Sequence, residues 1–359
     1  MQFSLDTEVI IVGGGPIGIE LAIALKRACV AHILIEARQI GAAISRWPAH
    51  THFFSTNEHV ALAGVPVHNL NQQPLSGDQY LAYLRMLVEM FDLRLHNYET
   101  VIAIDRLAEG FEVRTHRKGS ERLYRARYVV LATGGLDRPR RLNIPGEDMA
   151  HVSHYFEGPH KYFRTRLLVV GGKNSALEAA LRCWRAGAQV AISYRRPSFD
   201  FDVVKPHLGM DIRDRLEKGE ITFYPATLPT EITADEVVLT AVDETFSSNG
   251  HSQRVAADFV LLATGFKADM RLFVQAGVEL LGERQQPRVD AETMETNVPG
   301  LFVAGTAGGG TQERFEYFIS TTHDHVAKVV KAITGRAPER IGTVPARNNA
   351  VTYREVKAN

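Results

Sequence analysis

Val9-Ile10-Ile11-Val12-Gly13-Gly14-Gly15-Pro16-Ile17-Gly18 decides the fold of this chain. Four aliphatic residues in a row read as a buried strand, and Gly13-x-Gly15-x-x-Gly18 follows as a tight turn. Ile19-Glu20-Leu21-Ala22-Ile23-Ala24-Leu25 then reads as a helix, and the next apolar strand ends at Glu36. Between a strand and a helix the glycines form a dinucleotide fingerprint. Gly13 permits the tight turn, Gly15 lets the backbone approach a pyrophosphate, and Gly18 allows close helix packing. The helix N-terminus adds positive potential. Glu36 lies 18 residues past Gly18, close to the roughly 20 expected for an acid on a ribose 2′-hydroxyl. The expectation is a dinucleotide with a free 2′-hydroxyl; the plain alternative is a turn in an empty α/β domain.

Outward from this stretch, the pattern recurs at an offset of 158 residues as Leu167-Leu168-Val169-Val170-Gly171-Gly172-Lys173-Asn174-Ser175-Ala176. Glu178 in the following helix is in register with Glu20, and the next strand ends at Tyr194. A second pair, Val129-Val130-Leu131-Ala132-Thr133-Gly134 and Val260-Leu261-Leu262-Ala263-Thr264-Gly265, consists of apolar strands closing in Ala-Thr-Gly. Period-two stretches at Ile102 to Val113 and Glu236 to Val242 read as antiparallel strands. Leu301 to Gly305 reads as a strand, followed by a Gly-rich turn and a helix through Ala332 that return to the first domain. The fold class is therefore α/β, with two Rossmann-like three-layer dinucleotide-binding domains, the second inserted into the first. Residues 1–146 with 270–335 form the first, 147–269 the second, and 336–359 a polar tail. Asp137 to Asp148, bearing Pro and Arg, reads as the linker between them.

The second loop lacks the middle glycine and carries Lys173 instead, a charge where a phosphate would lie. Tyr194 replaces the acid and is followed by Arg195 and Arg196. Losing the carboxylate removes repulsion, and guanidinium groups match a 2′-phosphate with bidentate hydrogen bonds. NADP(H) is expected over NAD(H); the alternative is a solvated basic turn before Pro197.

The 359 residues hold 41 Lys plus Arg against 41 Asp plus Glu, a net charge of zero. That excludes a broad nucleic-acid or anionic-membrane surface. The stretch Val9 to Leu25 is interrupted by glycines and Glu20, so it does not supply a bilayer helix. Cys29 and Cys183 make no disulfide framework and no CxxC occurs. Both read as packing residues in a reducing, cytoplasmic setting. His50-Thr51-His52 lacks a third metal ligand at supporting spacing, and His323 and His325 read as surface histidines near Glu316. No metal site is expected. No Gly-x-Ser-x-Gly elbow occurs, which disfavours an α/β-hydrolase.

The two glycine loops and two Ala-Thr-Gly strands resemble two-domain flavoprotein reductases of the thioredoxin-reductase type. Within that group the chain is most similar to the YpdA-type bacillithiol-disulfide reductases. The matching stretches are Gly13-Gly14-Gly15-Pro16-x-Gly18, Trp47-Pro48-Ala49-His50-x-x-Phe53-Phe54-Ser55, His154-Tyr155-Phe156, Val170-Gly171-Gly172-Lys173-Asn174-Ser175, Lys205-Pro206, and Glu292-Thr293-Met294-Glu295-Thr296-Asn297-Val298. The resemblance implies FAD in the first domain, NADPH in the second, hydride transfer from nicotinamide to flavin, and a homodimer. By carry-over, Gly13, Gly15, Pro16, Gly18, Glu36, Thr133, Gly134 and Gly305 hold FAD. Gly171, Gly172, Lys173, Asn174, Ser175, Tyr194, Arg195 and Arg196 hold NADPH, and the loop from Trp47 to Phe54 lies beside the isoalloxazine ring. The sequence departs from the pattern at Ile17, where the subfamily carries cysteine, and at Thr306, where thioredoxin reductases have aspartate for the ribityl chain.

Thiol–disulfide exchange needs an attacking thiolate, and neither cysteine stands where the pattern supplies one. The expected activity is an NADPH-dependent FAD oxidoreductase passing electrons directly to a small-molecule or redox-protein acceptor, since the cofactor carries the difficult chemistry. His50 and His52 are the candidates for protonating or tuning the flavin edge, with loop packing as the alternative. Tyr353 in the tail is a candidate cover for the flavin. A flavin monooxygenase is a second reading. Phe156-Glu157-Gly158-Pro159-His160 partly matches that signature, but its histidine arrives two residues early. A non-catalytic redox sensor is a third.

Overall fold

A computed structural model describes residues 6–136, 138–312 and 316–342. The chain divides into two compact units. Of the described residues, one unit comprises those within 6–46, 50–138 and 266–342, and the other is built around residues 139–265.

The first unit grows from strand β1 (Thr7–Val12), helix α1 (Pro16–Arg27) and strand β2 (His32–Glu36). β1 and β2 run parallel, with Val9 opposite His32 and Val12 opposite Ile35. Val9, Ile10, Ile11, Ile33 and Leu34 are fully buried. Such unbroken aliphatic runs suit a parallel sheet covered on both faces. Helix α2 (Gly77–Met90) follows, started by a capping box in which Ser76 and Gln79 bond each other's backbone N–H. Then come β3 (Leu95–Asn97), β4 (Thr100–Arg106), β5 (Phe111–Arg117) and the long β6 (Ser120–Leu131). The stretch from Ile102 to Val113 is thus not one strand but two. It folds at Leu107–Gly110, where the Leu107 N–H donates to the Gly110 carbonyl and Gly110 takes a positive φ of 76°. The first half of β6 pairs antiparallel with β5, and its end lies parallel to β1.

The second unit repeats the opening with β7 (Arg166–Val170), α3 (Asn174–Arg185) and β8 (Gln189–Tyr194). Helix α4 (Pro206–Glu217) and β9 (Thr222–Pro225) follow. Next is an antiparallel set, β10 (Thr227–Ile232), β11 (Glu236–Val242) and β12 (Ser248–Ala256). β13 (Phe259–Leu262) closes the unit. The parallel sheet runs β9-β8-β7-β13, with the short strand Val152–Ser153 at its edge.

The chain then returns to the first unit. β14 (Leu301–Val303) pairs parallel with the end of β6, and α5 (Ile319–Thr334) packs on α1. Helix α1 is buried from Ile17 to Leu25 because it lies between the sheet and α5. Each fully buried Leu or Ile there contributes about 1.5–3 kcal/mol of transfer free energy. Among the described residues no helix is long and apolar enough to cross a membrane. Asp137 and the tail from Thr343 onward, with Tyr353, lie outside the described residues.

Candidate functional site

In the first unit, three turns gather at the carboxyl ends of β1, β6 and β14. This is where ligands bind on open α/β sheets. The turn after β1 is tightly specified. A Cβ on Gly13, whose φ is 116°, would strike the Ala132 carbonyl oxygen, and one on Gly18 would strike the Gly13 carbonyl. A Cβ on Gly15 would meet nothing within 4 Å. The middle glycine therefore faces open space, as close approach of a phosphate requires. Helix α1 starts there without a side-chain cap and with Pro16 in its first turn. Its first N–H groups thus remain available to an anion.

Glu36 is buried at the tip of β2. Its Oε2 accepts from the Gly14 N–H at 2.6 Å and its Oε1 from the Arg38 N–H at 2.8 Å. A carboxylate offers about four lone-pair sites, so acceptor capacity is left for a ribose diol. The Thr133 hydroxyl is buried without a hydrogen-bond partner, a cost unless a bound group satisfies it. Gly134 has a φ of 81°, and the Thr306 Oγ1 lies 3.8 Å from where its Cβ would be. The backbone bond from the Ala304 N–H to the Leu131 carbonyl brings Gly305 and Thr306 to this place. The residues thus fit a dinucleotide on three observations: the open glycine, the partly used carboxylate and the orphaned hydroxyl. Ile17 is 6% exposed. Its Cβ lies 3.2 Å from where a Cβ on Gly305 would stand, so the position is filled by packed hydrocarbon.

The loop after α1 and β2 places Trp47 half-buried and both His50 and His52 exposed. His50 adopts a left-handed φ of 64°. His52 forms an isolated bridge with Ser76, and the Phe53 ring packs on Tyr80 at 4.7 Å between centroids. Among the described residues no interaction joins either imidazole to the glycine turn.

In the second unit, a Cβ on Gly171 would meet the Ala263 carbonyl oxygen at 2.5 Å. One on Gly172 would enter the Tyr194 ring, which is buried and stacked on Phe199. Tyr194 is therefore the floor under the turn. Lys173 and Ser175 are exposed at the uncapped start of α3, and Arg195 and Arg196 are exposed beyond β8. Asn174 is engaged with the chain before α4. Its Oδ1 accepts from the Lys205 N–H at 2.8 Å and its Nδ2 donates to the Val203 carbonyl at 3.2 Å. The two Ala-Thr-Gly turns have diverged: Thr264 donates to the Arg140 carbonyl at 2.6 Å, whereas Thr133 has no such partner.

Two sequence expectations are corrected. His323 and His325 are not surface residues. His323 Nδ1–H donates to Glu20 Oε2 at 2.6 Å, and His325 is buried beside Tyr317. Burial, assisted by Lys328, pulls His325 down to about 4, so it is neutral. Its Cε1 lies 3.4 Å from where a Cβ on Gly308 would stand. The recurrence of Thr322, His325, Val326, Val329 and Val330 on one helix face was the available signal. Cys29 is exposed rather than packed, just past the end of α1, while Cys183 is buried in α3. Among the described residues no group of three His, Cys, Asp or Glu side chains could hold a metal ion.

Residues 10–305 match the family model described as pyridine nucleotide-disulphide oxidoreductase. The bacilliredoxin reductase Bdr of Bacillus subtilis (strain 168) is 31% identical over 333 residues, covering 92% of this chain and 99% of that protein. A ferredoxin–NADP reductase of Ignicoccus hospitalis is 27% identical over 302 residues, 83% of this chain and 89% of that one. The solved structure of bacillithiol disulfide reductase Bdr (YpdA) from Bacillus cereus superposes with a TM-score of 0.85. It shares 32% identity and covers 92% of this chain and 99% of its own. With the model spanning most of its length and a relative above 30% identity, the chain belongs to the pyridine nucleotide-disulphide oxidoreductase family, a flavin-dependent oxidoreductase with sites for a flavin and a nicotinamide nucleotide.

Proposed function

We propose that this chain is an NADPH-dependent, FAD-containing oxidoreductase that delivers electrons from reduced flavin directly to an acceptor, without a protein cysteine pair. The first domain, taken from the sequence as residues 1–146 with 270–335, takes FAD, the inserted one (147–269) takes NADPH, and the enzyme works as a homodimer. One observation carries the reading: no thiol stands at the flavin turn. Ile17, in the first turn of α1, packs its side chain against Gly305 instead. Cys29 lies past the far end of α1, a helix of 12 residues and so about 18 Å long. Cys183 is buried in the other unit with its thiol pushed up to about 12.

When bound, the cofactors supply hydride transfer from nicotinamide to flavin and onward electron delivery. The chain's own residues bind and orient them. Gly13, Gly15, Pro16 and Gly18 admit the FAD pyrophosphate to the start of α1, and Glu36 accepts from the ribose hydroxyls. Thr133, Gly134, Gly305 and Thr306 satisfy the polar middle of the molecule. Trp47 would flank the ring system, and the exposed His50 and His52 would serve as proton donors and acceptors at its edge. Gly171, Gly172, Lys173, Asn174 and Ser175 form the NADPH pyrophosphate turn over Tyr194, and Arg195 with Arg196 meets the 2′-phosphate.

The relatives are named for a bacilliredoxin and a ferredoxin, which supports a small redox protein as acceptor, alongside a quinone, a small disulfide or oxygen. An anaerobic titration with NADPH, following the visible absorbance of the purified flavoprotein, tests the first half-reaction. Bleaching at about one equivalent is expected. A flavin left oxidised by NADPH but bleached by dithionite would overturn the reading.

A further inference from the structure

Tyr194 turns inward to stack on Phe199, so β8 ends by releasing Arg195 and Arg196 to the surface. Among the described residues neither guanidinium is paired with a carboxylate. Arg195 is not loose, however. Its guanidinium carbon stands 4.4 Å from the centroid of the Phe246 ring. We propose that Phe246 is a specificity-determining positioning residue, holding Arg195 where the 2′-phosphate of the nicotinamide nucleotide is met. The proposal rests on the reading of the second unit as the NADPH site.

Phe246 is half-buried in the turn Asp243–Ser247 between β11 and β12, among otherwise polar residues. The turn is over-determined. The Asp243 carbonyl accepts from the Phe246 N–H at 3.0 Å, and the Ser247 carbonyl accepts from the Asp243 N–H at 3.0 Å. Asp243 Oδ1 accepts from the Thr245 N–H at 2.8 Å, the Thr245 hydroxyl at 2.7 Å and the Ser247 N–H at 3.0 Å. This network holds Phe246 at a left-handed φ of 63°, a conformation an aromatic residue seldom adopts without such support.

The turn is also tied to the arginines by backbone. The Ala226 N–H donates to the Arg196 carbonyl at 3.0 Å, and the Ala226 carbonyl accepts from the Val242 N–H at 2.8 Å. The ring face attracts the cation and restricts its rotamers. The N–H donors remain free for the forked contact with phosphate oxygens that only arginine offers. A nucleotide lacking the 2′-phosphate gains nothing from this arrangement, so Phe246 acts on selectivity.

The test is calorimetric binding of adenosine 2′,5′-bisphosphate and, as control, adenosine 5′-monophosphate to the purified flavoprotein. It is paired with the KM for NADPH and NADH using ferricyanide as acceptor. Arg195→Met should weaken the bisphosphate by tenfold or more and leave the monophosphate unmoved. Phe246→Leu should weaken it by about two- to fivefold, the size of an exposed cation–π contact. The NADPH KM should rise by the same factor while kcat stays within twofold. Phe246→Trp should restore binding, and the double variant should equal Arg195→Met. If Arg195→Met acts but Phe246→Leu shifts both ligands equally or neither, the positioning role is overturned and the NADPH reading stands. If Arg195→Met leaves both ligands unmoved, the 2′-phosphate reading falls and the role of Phe246 falls with it.

Discussion

Cys183 sits in the buried face of α3, where loss of hydration outweighs the nearby Arg182 charge and pushes its thiol up to about 12. At pH 8 only about one such thiol in ten thousand is ionised, and the thiolate is the reactive form. Cys29 is exposed. The native protein should therefore take up about one equivalent of dithionitrobenzoate per chain at pH 8, and a second only after denaturation. Rapid uptake of two equivalents by the native protein would show that Cys183 is reached through opening of α3. Neighbouring residues show equally that chemical type does not settle surroundings. Thr133 and Thr264 close the same Ala-Thr-Gly motif, yet one hydroxyl has no partner and the other anchors Arg140. Glu20 and Glu178 share a register, but Glu20 is fully buried whereas Glu178 is half-buried near Arg182 and Lys205. The motifs were legible in the sequence; which copy keeps a free polar atom was not, because that depends on residues far along the chain.

At the scale of elements, α1, α5 and the loop after Val60 meet at Glu20. Its Oε1 accepts from the Ala63 N–H at 2.7 Å and the Gly342 N–H at 2.5 Å, while Oε2 accepts from His323. Burial alone would lower the His323 pKa, but the hydrogen bond and charge of Glu20 outweigh it and the net direction is up from 6.5. A raised value in the folded state contributes stability that is complete below about pH 6.5 and lost as pH climbs through the folded value. His323→Gln should thus lower the thermal midpoint more at pH 6 than at pH 8.5, with a cost of about 1.5–3 kcal/mol at the acid end for the lost charged hydrogen bond. A deficit that is constant with pH would remove the charge from this account. The helices and parallel strands themselves were readable from apolar runs and glycines, since those patterns act within a few residues. The fold at Leu107–Gly110 was hidden because Phe111 resumes the alternation at once. The inward face of α5 was legible only from the spacing of its members, since two of them, Thr322 and His325, are polar.

At the scale of the whole molecule, duplication of one strand–turn–helix opening explains why the architecture could be read so far. Two copies of a pattern confirm each other where one would be weak. Direct delivery from the flavin, as proposed, makes both cysteines dispensable. A variant with Cys29→Ser and Cys183→Ala should keep NADPH-driven reduction of ferricyanide and of its natural acceptor within about twofold. A loss above tenfold with flavin content intact would put a thiol in the electron path. The Glu20 knot has one further consequence for the chain at large. Two amides almost 280 positions apart, Ala63 and Gly342, donate to one buried oxygen. Neither can give up its hydrogen to solvent while that carboxylate stays enclosed. In deuterated water they should exchange at one shared rate, set by the opening of α1 against α5 rather than by the loops that carry them. That makes Gly342 a clock for the innermost helix of the first unit.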